Sequence, residues 1–287
     1  GSSDQDIALL QEFFGYCLSG STEHQKSLWI YGPPGCGKSV IFKVLIAIVG
    51  ENRVAARQAE NFRSNFNADL SGKRLVYFPD YRHDPAHAKA ALGFLLNVAG
   101  DDPIRVEKKG KDAALERLMA KIVWSSNDMP SFPDSTGATL RRIMMLHRQG
   151  RPDGVENVAL ANQLTDNAAS ILRWAAEGAK RLAERGRFDG GMLDPKLMHF
   201  AARTMNATYA FLQDACIVGD AVKTVATPKQ DVFDAWRRYA AATGHHQRYN
   251  RETFAASLMQ SVLQCKAVVK GVGEDFVGIP TKTAHRS

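Results

Sequence analysis

Eight residues, Gly32-Pro33-Pro34-Gly35-Cys36-Gly37-Lys38-Ser39, limit what this chain can fold into more than any other stretch. They fit G-x-x-x-x-G-K-[ST], a glycine turn whose backbone N–H groups surround phosphate oxygens. The flanks have the character such a turn needs. Ser27-Leu28-Trp29-Ile30-Tyr31 is a short apolar run suited to a buried strand, and residues 40–49 read as a mostly buried helix. Strand, turn and helix together bring a helix N-terminus to bear on a bound anion. Lys38 is then placed for the β- and γ-phosphates of a nucleoside triphosphate, and the Ser39 hydroxyl for its Mg²⁺. A chance glycine-rich loop does not come with both flanks.

Composition narrows the setting. A chain of 287 residues holds two domains or one large one. A net charge of +7 and a pI of about 9.2 suit a nucleic-acid partner without requiring one. The four cysteines, Cys17, Cys36, Cys216 and Cys265, form no C-x-x-C pair, which points to a reduced, intracellular protein without a zinc site. No apolar run has membrane-spanning length, and no signal-peptide pattern is present. Gly1-Ser2-Ser3 looks like the remnant of a cleaved expression tag, so the chain is expected to be a piece of a longer protein.

Taken in order, residues 4–19 carry Ile7, Leu10, Phe13, Phe14 and Cys17 at amphipathic-helix spacing, with Gly20-Ser21 as a stop. Residues 51–70 read as a strand and a short polar helix. Gly72-Lys73-Arg74-Leu75-Val76-Tyr77-Phe78-Pro79-Asp80 has the pattern of a buried strand ending in a carboxylate. A carboxylate at that end of a strand orders a Mg²⁺ shell, which makes Asp80 the second element of the site (Walker B). Pro79 stands where many such sites have another acid. Asp84 is the spare carboxylate, and before Pro85 it reads as a turn residue. Residues 86–99 are helical. A strand over 104–107 then runs into Lys108-Lys109-Gly110-Lys111, a hairpin with a basic tip or a solvated charged loop.

Lys121 to Asn127 is an apolar strand with a terminal Asn127, whose amide suits the attacking water near a γ-phosphate (sensor 1). Arg141-Arg142 precede another strand, and either guanidinium suits a γ-phosphate across a subunit boundary. Asn167 to about Arg185 is amphipathic, with Ile171, Leu172, Trp174, Ala175, Ala179 and Leu182 on its apolar stripe. Gly186 to Gly191 is the strongest boundary signal. The expected organisation is therefore an N-terminal helix over 1–24, an ATPase core over 25–186 and a C-terminal domain over 187–287. In the last part a long helix spans about 195–216. Thr227-Pro228 starts a second helix, Asn250 caps a third, and strands over 266–270 and 276–279 close a winged-helix outline. Arg237, Arg238, His245, His246, Arg248, Tyr249, Arg251, Lys266 and Lys270 gather there. DNA contact and a merely solvated surface are equally good readings of that cluster.

The ordered set resembles the superfamily 3 helicases, and most closely the phage and plasmid branch of the poxvirus-type primase-helicase family. The resemblance rests on Leu70-Ser71-Gly72-Lys73-Arg74-Leu75, Leu95-Leu96-Asn97-Val98-Ala99-Gly100-Asp101-Asp102, Ser126-Asn127-Asp128-Met129-Pro130 and the stretch 169–178, and covers about residues 25–245. It implies an α/β fold of AAA+ type with a parallel sheet, assembling as a ring, commonly a hexamer, with ATP and Mg²⁺ between subunits. Such a ring translocates 3′–5′ on single-stranded DNA and opens forked DNA during replication of a phage or mobile element. By position, Gly32 to Ser39 hold the nucleotide, Ser39 and Asp80 the metal, Asn127 is sensor 1, and Arg142, directly before Ile143, is the arginine finger. Lys108, Lys109 and Lys111 fall on the DNA-gripping hairpin. The family often carries a primase domain upstream, fused or separate. A location in the cytoplasm of a bacterial host, or on its nucleoid, follows. The rival expectation is an ATP-switched initiator or loader that binds DNA without unwinding it. A phosphate-loop kinase fits the Ser-Asn strand and the basic hairpin less well.

Overall fold

The computed structural model describes residues 3–58, 68–82, 85–106, 114–129, 138–150, 157–189, 203, 206–217, 224–244, 249–264, 270–272 and 275–277. It divides into two compact units: residues 1–130 with 139–196, and residues 131–138 with 197–287.

Unit 1 is built on five parallel strands. These are β1 (Ser27–Tyr31), β2 (Val54–Ala56), β3 (Leu75–Phe78), β6 (Lys121–Ser126) and β7 (Ile143–His147), in the order β2-β3-β6-β1-β7. All four ladders run parallel, so the C-terminal ends of the strands share one edge. Strands buried on both faces read as continuous apolar runs, and every residue of β1 and β6 is buried. One face carries Leu28, Ile30, Leu75, Val123, Met144 and Leu146 against helices α1 (Asp4–Leu18), α2 (Lys38–Val49) and α6 (Ala168–Arg185). The opposite face carries an aromatic row one residue deep: Phe78, Trp124 and Trp29 are in register across β3, β6 and β1. Their rings stack at 3.9 and 4.9 Å between centroids, and Tyr81 meets both indoles edge-on. Phe94 of α3 (Pro85–Ala99) packs on Phe78 from outside.

Helix α1 is capped by Ser3, whose side chain accepts from the Asp6 N–H while Asp6 answers on the Ser3 N–H. It lies directly on α6. A Cβ on Gly15 would sit 2.4 Å from the Ala179 nitrogen, and one on Gly178 2.3 Å from the Gln11 carbonyl, so each helix supplies a glycine where the backbones meet. Glu12, fully buried, accepts from Arg181 Nε (2.8 Å), Arg185 Nη2 (2.6 Å) and the Asp189 N–H (3.2 Å). The amphipathic patterns therefore hold with two changes. Ile7 and Leu172, placed on the apolar stripes, are 48% and 45% exposed, and Gln11 and Glu12 are buried in their stead. A short antiparallel ribbon, β4 (Ile104–Val106) with β5 (Ala114–Glu116), follows α3. Among the described residues the unit also holds helices α4 (Ala138–Arg142) and α5 (Leu160–Asp166), the latter not expected from the sequence.

Unit 2 packs α7 (Ala207–Ala215), α8 (Lys229–Thr243) and α9 (Arg251–Gln264) around Phe211, Trp236, Phe254 and Phe276. Its sheet is β8 (Ala226–Pro228), β10 (Asp275–Val277) and β9 (Lys270–Val272), antiparallel, which gives a winged-helix-like outline. Two expectations change here. The long helix over 195–216 is interrupted, because Asn206 is extended and its side chain caps α7 through the Thr208 and Tyr209 N–H groups. Thr227-Pro228 belong to a strand, paired with Phe276 and Asp275, and the helix starts at Lys229. Of the wing strands expected over 266–270 and 276–279, the described residues show Lys270–Val272 and Asp275–Val277, while 266–269 and 278–279 lie outside the described residues. Asn250 does cap α9, accepting from the Thr253 N–H at 2.8 Å. Among the described residues no helix is long and apolar enough to cross a membrane.

Candidate nucleotide site

The phosphate loop leaves β1 at the C-terminal edge of the sheet and enters α2. Gly32 is fixed from both sides. Its N–H donates to the Ser126 carbonyl (3.3 Å), and a Cβ on it would meet the Arg148 carbonyl at 2.0 Å. With φ of +150° this position admits glycine alone. Gly35 and Gly37 have φ of +78° and +92°, so successive N–H groups turn inward. Gly37 caps α2 with no side-chain hydrogen bond. The Val40 and Ile41 N–H groups donate to its carbonyl (3.1 and 3.3 Å), so the orphan donors of this helix end are the N–H groups ahead of them. This is a cradle for phosphate oxygens.

Strand order explains why distant residues meet here. β6 lies between β1 and β3, so the residue after β6 emerges beside the loop. Lys38 Nζ donates to Asn127 Oδ1 at 3.2 Å, and also to the carbonyls of Gly32 (2.6 Å) and Pro33 (3.1 Å). Asn127 is presented by its neighbour. Ser126 Oγ accepts from the Trp29 indole N–H (2.7 Å) and donates to the Asp128 carbonyl (2.5 Å), which locks the turn to the aromatic row.

Asp80 follows β3. Pro79 cannot donate to the ladder, but the Tyr81 N–H reaches the Ser125 carbonyl at 2.7 Å, so Asp80 is held between the end of β3 at Phe78 and an anchored Tyr81. Its Oδ2 accepts from Arg82 at 3.1 Å. A cleft of about 330 Å³ lined by Asp80, Tyr81, Arg82, Ser126, Asn127, Asp128 and Met129 opens between the two strand ends. Mg²⁺ bound with a triphosphate takes one or two protein oxygens and completes its shell from phosphate and water. Ser39 and Asp80 supply that donor type, and no cluster of three metal-ligating side chains is present among the described residues.

Arg141 and Arg142 sit elsewhere. They end α4 at the start of β7, and Ile143 pairs with Ser27 at the opposite end of β1 from the phosphate loop. Arg142 is half-buried and Arg141 exposed. Lys26 Nζ donates to the Arg141 carbonyl, and burial, then the charge of Arg142, lowers the Lys26 pKa. Lys108, Lys109, Lys111 and Asp84 lie outside the described residues. Of the C-terminal basic and aromatic group, Arg237, Arg238 and Arg251 are exposed, while Tyr249 packs on Trp236 and Phe254.

Three residues at the site were not singled out from sequence. Arg82 pairs with the acid, and Asp128 adds a carboxylate to the cleft. Arg148 ends β7 as Asn127 ends β6, its N–H on the Tyr31 carbonyl at 2.7 Å. A polar residue closing an apolar strand is the signal in the sequence, though it does not say which strand borders β1.

The parallel sheet with its glycine-rich loop between β1 and α2 defines an α/β, P-loop NTPase-type core, joined to a mainly helical, winged-helix-like unit. A model described as a family of unknown function (DUF5906) matches residues 30–142. The chain is 25% identical over 211 residues to the proteasome-associated ATPase of Salinispora arenicola (strain CNS-205), a match that takes in 68% of this chain and 34% of that protein. It therefore spans about a third of that relative's length. Among solved structures it resembles the A form apo structure of the NrS-1 C-terminal region, with a TM-score of 0.53, 13% identity, and coverage of 98% of this chain and 76% of that one. A second apo structure of the same region gives a TM-score of 0.50 at 13% identity with the same coverage. At such identity the likeness is one of fold.

Proposed function

We propose that the chain is the motor part of a ring-forming, ATP-dependent DNA helicase of a phage or mobile element, acting in the cytoplasm of its bacterial host. The observation that carries this reading is the split of the site across the sheet. Lys38, Asn127 and Asp80 gather at the C-terminal edge, while Arg142 stands at the N-terminal edge of the same sheet. Four steps along β7 span about 13 Å at roughly 3.3 Å per residue, more than an arginine side chain reaches. The guanidinium thus fits a nucleotide held by the next copy of the chain, which is the arrangement of a ring. In that assembly Gly32 to Ser39 and Lys38 bind the triphosphate, and Ser39 and Asp80 hold Mg²⁺, which neutralises phosphate charge. Asn127 orients the attacking water, and Arg142 of a neighbour stabilises the charge that develops on the γ-phosphate. The cationic tip at Lys108, Lys109 and Lys111 would grip the DNA backbone as point charges, largely independent of sequence.

The exposed Arg237, Arg238 and Arg251 on the winged-helix-like unit favour a second reading, an ATP-switched initiator or loader. Strand displacement on a forked duplex with ATP separates the two. A helicase releases the strand. A loader hydrolyses ATP and leaves the duplex intact.

A further inference from the structure

The turn Gly100-Asp101-Asp102 joins three parts of unit 1. It closes α3, with the Gly100 N–H on the Leu96 carbonyl (2.8 Å) and the Asp102 N–H on the Asn97 carbonyl (2.9 Å). Asp101 is left-handed, φ +62°, a conformation that Asp and Asn tolerate best among residues with a side chain. On one side Arg117 Nη1 donates to both the carbonyl and Oδ2 of Asp101, each at 3.1 Å. Arg117 directly follows β5, whose Glu116 pairs with Ile104 at the foot of the ribbon. On the other side Gln25 Nε2 donates to the Gly100 carbonyl at 3.2 Å, and the adjacent Lys26 binds the Arg141 carbonyl. Asp102 Oδ2 and Arg142 Nη2 come within 3.2 and 3.5 Å of the point a Cβ on Gly100 would occupy. Gly100 is thereby confined to glycine by the Leu96 carbonyl. The turn is tied to the arginine edge through Gln25-Lys26, with the Arg142 guanidinium beside it, and to the ribbon through Arg117.

We propose that Asp101 and Arg117 form a latch that transmits the position of the arginine edge to the β4–β5 ribbon. When Arg142 engages a neighbouring subunit's nucleotide, the turn moves with it, and the latch sets the angle at which the ribbon meets DNA. The inference rests on the helicase reading above. The pair is 34% and 63% exposed, so it adds little to folding. What it fixes is direction: one guanidinium nitrogen that donates to both the carbonyl and the carboxylate of the same left-handed residue holds the ribbon's foot in one orientation. Both are positioning residues, since neither touches nucleotide or DNA.

The test compares the unmodified chain with Asp101→Asn, Arg117→Gln and the double variant. The readouts are basal ATPase, ATPase stimulated by single-stranded DNA, and opening of a forked duplex. Basal turnover is expected to stay within about twofold, while stimulation and opening fall about fivefold or more in each single variant. Residues acting through one contact are non-additive, so the double variant should lose no more than either single. Arg117→Gln leaves the left-handed residue untouched, so the result does not depend on how Asp101→Asn folds. Losses that add in the double variant overturn the latch, as does full stimulation in both singles. An unmodified chain whose ATPase ignores DNA overturns the helicase reading, and the latch falls with it.

Discussion

Gly32 shows how much a single position can decide. Its Cα lies against the Arg148 carbonyl, and its φ belongs to glycine. Gly32→Ala must therefore displace either the loop or the end of β7, at a cost of about 1–3 kcal/mol for the strained backbone alone. Nucleotide affinity should fall with it, as read by titration of a fluorescent ATP analogue. Lys38→Ala removes the ammonium without touching the backbone. ATP turnover should vanish while the melting temperature stays near that of the unmodified chain, and a variant that still hydrolyses ATP would remove Lys38 from the chemistry. These positions were legible because the motif's spacing is itself the mechanism. The Lys38–Asn127 contact was legible in part: a polar residue ending an apolar strand is a visible pattern, but its neighbour across the sheet depends on strand order. Arg148 shows the limit. It ends β7 in the same way, yet nothing local in Leu146-His147-Arg148 says that β7 borders β1. Arg82 was hidden for a different reason, since an arginine two residues beyond an acid is usually only solvated.

At the scale of elements, the α1–α6 pair is held by polarity as much as by apolar packing. The periodicity located both helices but assigned their faces by hydrophobicity, which is why Ile7 and Leu172 were misplaced and Glu12 was passed over. A fully buried carboxylate between two arginines is strongly position-dependent, and removing one partner leaves uncompensated charge. Arg181 and Arg185 retain 38% and 25% exposure, which softens the loss. Glu12→Gln should cost about 2–3 kcal/mol in urea unfolding, at the lower end for a broken buried pair. Lys121 makes a second prediction on the same side of the sheet. Its side chain is buried, donates to the Ser19 carbonyl at 2.7 Å and lies 4.8 Å over the Tyr16 ring. Burial lowers its pKa from 10.5 to about 8, while burial raises Cys17 from 9.0 to about 12. Between pH 8 and 10.5 the unfolded chain holds more of the Lys121 proton than the fold does, so this group adds stability as pH rises. Above pH 9 the unfolded Cys17 thiol loses its proton first, so this second group takes stability away as pH rises. Melting curves should therefore rise from pH 8 to about 9, stay level to about 10.5 where the two slopes cancel, and then fall. Lys121→Met should abolish the rise and keep the fall.

For the whole molecule, the decisive quantity is where the missing positive charge comes from. The sheet puts the phosphate loop and the Arg141-Arg142 pair at opposite edges, so no rotamer of either arginine completes its own site. Arg142, directly before Ile143, is half-buried beside the turn at Gly100 and is the finger proposed above, while Arg141 is exposed. Arg142→Ala should accordingly reduce ATPase by about 10³-fold or more, the scale of an arginine finger, while Arg141→Ala stays within a few-fold. Loss of activity alone would not show that the arginine acts across a boundary; a mixing experiment does. Lys38→Ala chains have an intact arginine and a dead loop. Arg142→Ala chains have an intact loop and no arginine. In a randomly mixed closed ring about a quarter of the interfaces join an intact loop to an intact arginine. Two inactive preparations should therefore regain ATPase on mixing, with nucleotide-dependent assembly visible in the sedimentation of either alone. If the mixture stays silent while both variants assemble, Arg142 does not act between subunits, and the division of the site across the sheet has some other purpose.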